Sequence, residues 1–398
     1  MNCNFCPLPF VHLSTRVDGN VAPCCRSLDT VGNIKENSLE EIWNNEKMQK
    51  LRQQFINGER PPGCYPCWEL EDQGGSSMRQ NMLRPGSKRV GKLPADLAPV
   101  LDFDIPILEL KLSNLCNFRC RTCKPDLSTT WLKDWDAVKE EYELIGMKYS
   151  TGRQENYKDD FLEDVVKLGP SLRIIEFAGG EPLMDPMHYK VLEALHPYAE
   201  NITVKYSTNL SKLSYGKYNA LDSWTKFKKV DISLSCDGYP ELNEYIRTES
   251  NNVELEENLK QVRKELGEKF DGRVALCYSA WNAVGLTQSY EYFTNTLDMV
   301  VHGNIAWAPK FINPQVLPLE LKESITQKYK QFLNYADSLN IEKFRKKQIN
   351  RFLTTNMNYL NAVDKSKDFK QFIRYTQKLD VTRNTDIFKV IPELEKYV

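Results

Sequence analysis

Three cysteines within eight residues, Cys116, Cys120 and Cys123, directly follow a β-strand candidate at Ile107 to Leu112. Thiolates ligate iron well, and three of them on one loop can hold three corners of a four-iron cubane while the fourth iron stays open. An open iron beside a redox-active cluster is a place where a substrate or cofactor can bind and receive an electron. Zinc is the competing occupant, but a closed zinc site wants a fourth His or Cys nearby. The next Cys is Cys236 and the next His is His188.

From about Pro106 the pattern alternates strands with helices. Further strand candidates are Arg173 to Phe177, Ile202 to Tyr206, Val230 to Leu234, Arg273 to Tyr278 and Met299 to Gly303. The helices between them fall at Asp160 to Leu168, His188 to Leu195, Tyr218 to Phe227, Val253 to Leu266 and Gln288 to Thr296. This succession predicts an α/β fold, a partial (β/α)6 parallel barrel over 106–313, with functional loops at the strand C-terminal ends. A small cysteine-rich module over 1–75 precedes it, joined by a Gly-, Ser-, Arg- and Pro-rich linker over 76–105, and a helical C-terminal region covers 314–398. Within that region the basic run Lys343 to Lys347 reads as a solvated helix face. The insert Lys124 to Tyr157, with Trp131, Trp135, Tyr142, Met147 and Tyr149, is either a lid or a helix packed on the barrel.

Glu176 to Pro182 reads EFAGGEP at the end of the second barrel strand, where two adjacent glycines admit a close approach to the backbone. Together with CNFRCRTC at 116–123, this Gly179-Gly180-Glu181-Pro182 turn resembles the signature pair of the radical S-adenosylmethionine superfamily. The resemblance implies a [4Fe-4S] cluster on Cys116, Cys120 and Cys123 whose open iron chelates S-adenosylmethionine. It implies reductive cleavage to a 5′-deoxyadenosyl radical that abstracts hydrogen from the substrate. It also carries over cofactor-binding roles for Gly179, Gly180 and Glu181, for Thr208 and Asn209 after the third strand, for Ser235 in SCDG after the fourth, and for Arg247. Thr122 departs from the family, in which an aromatic residue is common at that place, so the packing of the adenine is not carried over.

Four more cysteines, Cys6, Cys24, Cys64 and Cys67, come from separated segments and make a closed four-thiol set, for iron-sulfur or zinc on spacing alone. Their surroundings, VDGNVAPCC, VGNIKENSLEEIWN and LRQQFINGERPPGCYPC, are similar to the auxiliary-cluster domain called twitch, a relative of SPASM. That similarity implies an auxiliary [4Fe-4S] cluster, here ahead of the barrel rather than behind it as is usual in the family. Cys3 and Cys25 are alternates, whereas Cys236 and Cys277 lie at or in apolar strands as small core residues. One helix is expected from Ser38, an N-cap candidate with Glu41 three residues on, through Phe55.

Lys and Arg number 53 against 54 Asp and Glu, scattered along 398 residues, which argues against a nucleic-acid-coating or membrane-coating surface. No stretch approaches the about 20 apolar residues of a membrane span and no basic start precedes an apolar run. The expected setting is cytoplasmic. The expected substrate is a peptide or a small metabolite that is oxidised, crosslinked or rearranged, with a reducing donor such as flavodoxin or ferredoxin. Modification of a nucleotide or RNA is the alternative enzyme, and a non-catalytic iron-sulfur or zinc-binding interaction protein is the alternative of another class. The four histidines, His12, His188, His196 and His302, supply no named base, and none is named among the carboxylates.

Overall fold

A hairpin of β1 (His12–Thr15) and β2 (Asn20–Ala22) opens the chain in the computed structural model, followed by the short β3 (Gly32–Asn33). Then come β4 (Ile107–Lys111), β5 (Ile174–Ala178), β6 (Thr203–Thr208), the pair β7 (Ser214–Tyr215) and β8 (Tyr218–Asn219), β9 (Lys229–Ser235), β10 (Phe270–Tyr278) and β11 (Val300–Ile305). The β7–β8 hairpin stands apart, and the other six are the barrel strands. The structure describes residues 3–398 except 73–75, 85–92, 95, 150–156, 158–159, 307 and 339–341. Part of the linker read at 76–105 and part of the insert therefore lie outside the described residues. No described helix is long and apolar enough to cross a membrane.

All six barrel strands run parallel in the order β11-β10-β9-β6-β5-β4. The partial parallel barrel expected from the alternation is thus present. The sheet does not end at β4. β1 pairs with it in parallel, His12 beside Ile107 and Ser14 beside Glu109, so the amino-terminal hairpin continues the barrel sheet.

Alternation along the strands divides the sheet into two unlike faces. Leu108, Leu110, Ile175, Phe177, Val204, Tyr206, Val230, Ile232, Leu234, Val274, Leu276 and Tyr278 point to the helices and are all at most 1% exposed. The alternate positions hold Glu109, Lys111, Glu176, Lys205, Ser207, Asp231, Ser233, Ser235, Arg273, Ala275 and Cys277, and most of these keep partial water access. Parallel sheets are ordinarily apolar on both faces. Here the concave face is polar and open.

The helix expected from Ser38 forms as two pieces. Ser38 caps Leu39–Trp43 in a reciprocal box with Glu41, but Asn45 caps a second helix, Glu46–Ile56, by accepting from the Met48 amide. The break falls at Asn44, whose side chain exchanges hydrogen bonds with the Leu101 backbone and so ties this turn to the approach of β4. Similarly, the helix expected at Tyr218 to Phe227 starts later: Asn219 ends β8 and caps Ala220–Trp224. The one at Gln288 to Thr296 begins as α-helix Leu286–Glu291 and widens into a π-turn over Tyr292–Thr296.

After the barrel come helices Leu319–Ser338, Lys343–Ala362 and Phe369–Arg383. The basic run opens the second of these and is largely exposed, with Arg345 3.3 Å from Asp298. The insert contributes helix Leu132–Glu143, which docks on Phe369–Arg383: the Tyr142 and Tyr375 hydroxyls meet at 3.0 Å, and Arg374 forks onto Glu141. Trp131 and Tyr142 are fully buried, so this part of the insert is packed structure.

Candidate functional site

The loop from Ser113 to Lys124 leaves β4 with few bonds of its own and is held from outside. The Phe118 carbonyl accepts from the Ser128 and Thr130 hydroxyls at 2.6 and 2.7 Å, and the Trp131 indole donates to the Cys120 carbonyl at 2.9 Å. The Arg119 and Arg121 amides donate to the carbonyls of Thr248 and Ile246, next to Arg247. Beneath them, Arg121 meets Asp380 at 2.5 Å, while Arg383 grips Asp134 through two nitrogens and Arg119 takes its other oxygen at 2.8 Å. These charges are nearly all buried, so each depends on its partner.

Gly179 and Gly180 press against this loop. Gly179 has φ of +113°, and a β-carbon on Gly180 would stand 2.3 Å from the Leu115 carbonyl oxygen. The Gly180 and Glu181 amides donate to the Ser113 and Leu115 carbonyls at 3.0 and 2.7 Å. The close approach that the glycine pair permits is therefore made, in this structure, by the cysteine loop itself.

Glu181 is buried and its carboxylate accepts from the Thr208 hydroxyl at 2.6 Å and from the amides of Asn209 and Leu183. Burial raises its pKa, against the pull of these donors. The Asn209 side-chain amide reaches Asn117 on the cysteine loop at 3.1 Å. Glu181, Thr208 and Asn209 thus form one network that ties the ends of β5 and β6 to the loop. Nearest the loop, Ser207 is the last side chain of β6 on the open side and Ser235 the last of β9, both half-buried.

Arg247 closes the group. Its guanidinium lies 2.9 Å from buried Asp237, and its buried Nε has no hydrogen-bond partner. Burial works against its charge, but the Cys120 and Asp237 groups overcome this and raise its pKa. Burial pushes the Cys123 thiol up to about 12 and raises Cys116 and Cys120 too, with Arg247 and Arg383 opposing the rise at Cys120. Such thiols stay protonated until a metal displaces the proton. Cys277, expected to be a small core residue, packs half-buried against the core and also lies within electrostatic reach of Cys120 and Cys123.

The second thiol set is brought together from three places in the module. Cys6 feels Cys24, Cys64 and Cys67, and Cys64 feels Cys24 and Cys67. Burial raises all three of Cys6, Cys24 and Cys64, to about 11 for Cys24 and about 12 for Cys64. Cys3 and Cys25 are exposed, the latter with its sulfur 3.9 Å from that of Met78. Arg79, on helix Met78–Leu83, pairs with Glu71 and donates to the Cys3 and Phe5 carbonyls, which locks the ends of the module together. Among the described residues, no three His, Cys, Asp or Glu side chains converge as one metal ion requires.

What the sequence did not reveal is the clamp under the loop. Asp134, Asp380 and Arg383 carry no motif, and only their burial in the folded chain exposes them as supports. His188, for which the sequence named no role as a base, is fully buried and bonds the Tyr206 hydroxyl at 2.7 Å; burial lowers its pKa to about 3.

Residues 6–68 match the family model of SPASM, an iron-sulfur cluster-binding domain. No curated protein matches the chain. Among solved structures, polyhistidine-tagged anSMEcpe with bound AdoMet aligns at 18% identity and a TM-score of 0.40, over 57% of this chain and 59% of that one. Native anSMEcpe with AdoMet and the Kp18Cys peptide aligns at 17% and 0.39, over 58% and 65%. Streptococcus suis SuiB bound to precursor peptide SuiA aligns at 13% and 0.33, over 75% and 62%. The aligned part is less than two thirds of each of these proteins. The four thiols gathered in the module, Cys6, Cys24, Cys64 and Cys67, all fall within the span that is similar to this iron-sulfur cluster-binding domain.

Proposed function

We propose that the chain is a radical S-adenosylmethionine enzyme that acts on a peptide or small metabolite in the cytoplasm. The observation that carries this reading is the pair of backbone hydrogen bonds by which Gly180 and Glu181 join the Cys116–Cys123 loop, so that motifs about 60 residues apart form one surface. The residues fit the cofactors. Cys116, Cys120 and Cys123 would hold the first [4Fe-4S] cluster, and the orphaned Nε of Arg247 offers a donor beside it. When bound, the cluster and S-adenosylmethionine supply one-electron reductive cleavage and hydrogen abstraction.

The rest falls to the chain. With the Gly180 and Glu181 amides already engaged, an incoming amino group would meet backbone carbonyls at this turn, the acceptors that an ammonium needs. Ser207 and Ser235 face the same side with hydroxyls, and Arg247 offers a cation to a carboxylate. Cys6, Cys24, Cys64 and Cys67 would hold an auxiliary [4Fe-4S] cluster. Flavodoxin or ferredoxin would supply the reducing electron.

Anaerobic reconstitution with iron and sulfide, followed by dithionite and S-adenosylmethionine, tests the reading. About eight irons per chain and release of 5′-deoxyadenosine are expected. A fully loaded protein that forms no 5′-deoxyadenosine with or without candidate substrates refutes it. About four irons with one zinc would reassign the SPASM site alone.

A further inference from the structure

The concave face of the sheet carries a belt of charges below the cysteine loop that none of the roles above uses. Register places Glu109, Glu176, Lys205 and Asp231 side by side on β4, β5, β6 and β9. Lys111 closes on Glu109, which also lies 3.8 Å from His12; Lys205 lies 3.6 Å from Asp231, and Arg273 from β10 closes on the same carboxylate. Burial disfavours charge on Glu109, yet Lys111 and His12 hold its pKa below the usual range. The signs balance, with Glu109, Glu176 and Asp231 against Lys111, Lys205 and Arg273.

The belt is neither dry core nor free surface. Side-chain exposure is 22% for Lys111, 17% for Lys205 and 25% for Arg273, so water reaches the cations while the opposite face of the same strands is sealed. At about 3.3 Å per residue, Glu176 lies roughly 10 Å below Gly179, and four inter-strand steps give the belt a width of about 19 Å.

We propose that this belt is the recognition surface for the substrate, and that it selects a ligand carrying an ammonium and a carboxylate together. The inference rests on the radical S-adenosylmethionine reading only for calling the ligand a substrate. Glu109 is already paired with Lys111, and Asp231 with Lys205 and Arg273. A ligand of one sign must displace one partner and leave its charge uncompensated in a half-buried place, which costs more than the new contact returns. A ligand with both signs replaces both partners by exchange, its carboxylate at Arg273 or Lys205 and its ammonium at Glu109 or Glu176. Free amino acids and peptides with Lys and Asp side chains share this chemistry.

Affinity selection with mass-spectrometric readout tests the belt on reconstituted protein. The probes are capped heptapeptide pools of Gly, Ala and Ser that contain one Lys and one Asp, Lys alone, Asp alone, or only added Thr and Asn, and a mixture of free α-amino acids. Either the Lys-plus-Asp pool or the free amino acids should be retained at least tenfold above the three remaining pools, and which one it is identifies the source. R273Q and E176Q should each lower that retention about tenfold. K205Q/D231N/R273Q, which removes Asp231 together with both of its cations, should do the same if a single variant fails to fold. Equal retention of all probes, preference for the Thr and Asn pool, or full retention by the folded variants overturns the proposal. Release of 5′-deoxyadenosine is scored separately, so failure of the chemistry and failure of the belt are told apart.

Discussion

The two thiol sites are built in opposite ways. Cys116, Cys120 and Cys123 are neighbours in sequence, yet their loop is held by Asp134, Thr248, Asp380, Arg383 and Thr385, residues up to 264 positions from the loop arginine they serve. Cys6, Cys24, Cys64 and Cys67 are scattered, yet their support is near in sequence: Arg79 at the start of the linker with Glu71, and Arg52 reaching the Pro9 and Pro99 carbonyls while it lies over Trp43. A compact motif thus relies on long-range scaffolding, and a dispersed ligand set on partners drawn from the first hundred residues, even though β1 joins the barrel sheet. Damage to the scaffold should travel differently in the two cases.

The largest expected effect separates the sites by chemistry. C120A should abolish 5′-deoxyadenosine formation and leave about four irons in the module, whereas C67A should lose the module's iron and still release 5′-deoxyadenosine in the absence of substrate. If C120A keeps cleaving, the ligand assignment is wrong.

Next comes the scaffold. D380A leaves Arg121 buried without its carboxylate, a change that costs about 3–5 kcal/mol in such pairs. Iron bound by the barrel loop should fall while the module stays loaded. R79M should do the reverse, with loss confined to the module. Iron counts and Mössbauer or EPR spectra of the two variants decide whether the supports are as separate as they look.

A smaller effect tests the barrel without touching either site. His188 is held neutral with a pKa lowered to about 3 against 6.5 in an unfolded chain. Its contribution is therefore complete above about pH 6.5 and is lost as pH falls towards 3, on the order of 1.4 kcal/mol per unit. Thermal melting of wild type should drop between pH 7 and pH 5 by more than that of H188Q. Parallel curves would show that another group governs the acid limb.

The smallest effect falls in the module. S38A removes the box that caps Leu39–Trp43 and should cost about 1 kcal/mol, seen as a lower melting midpoint with the iron content unchanged. Loss of iron in S38A would mean that this helix cap helps to hold the thiol set together.

The sequence by itself determined what short-range pattern can encode. Cysteine spacing singled out two thiol sets, the alternation of apolar segments placed the six strands to within a few residues, and Ser38 with Glu41 announced a cap. It missed the break at Asn44 and Asn45, because the choice between one helix and two depended on a hydrogen-bond partner at Leu101 far along the chain. Only the tertiary structure decided that β1 extends the barrel sheet, that Asp380 and Arg383 brace the cysteine loop, that Cys277 faces that loop, and that the concave face carries a balanced belt of charge. Strand pairing and buried ion pairs join residues about a hundred or more positions apart, and single-chain periodicity holds no record of which distant partner will satisfy a buried charge or a free strand edge.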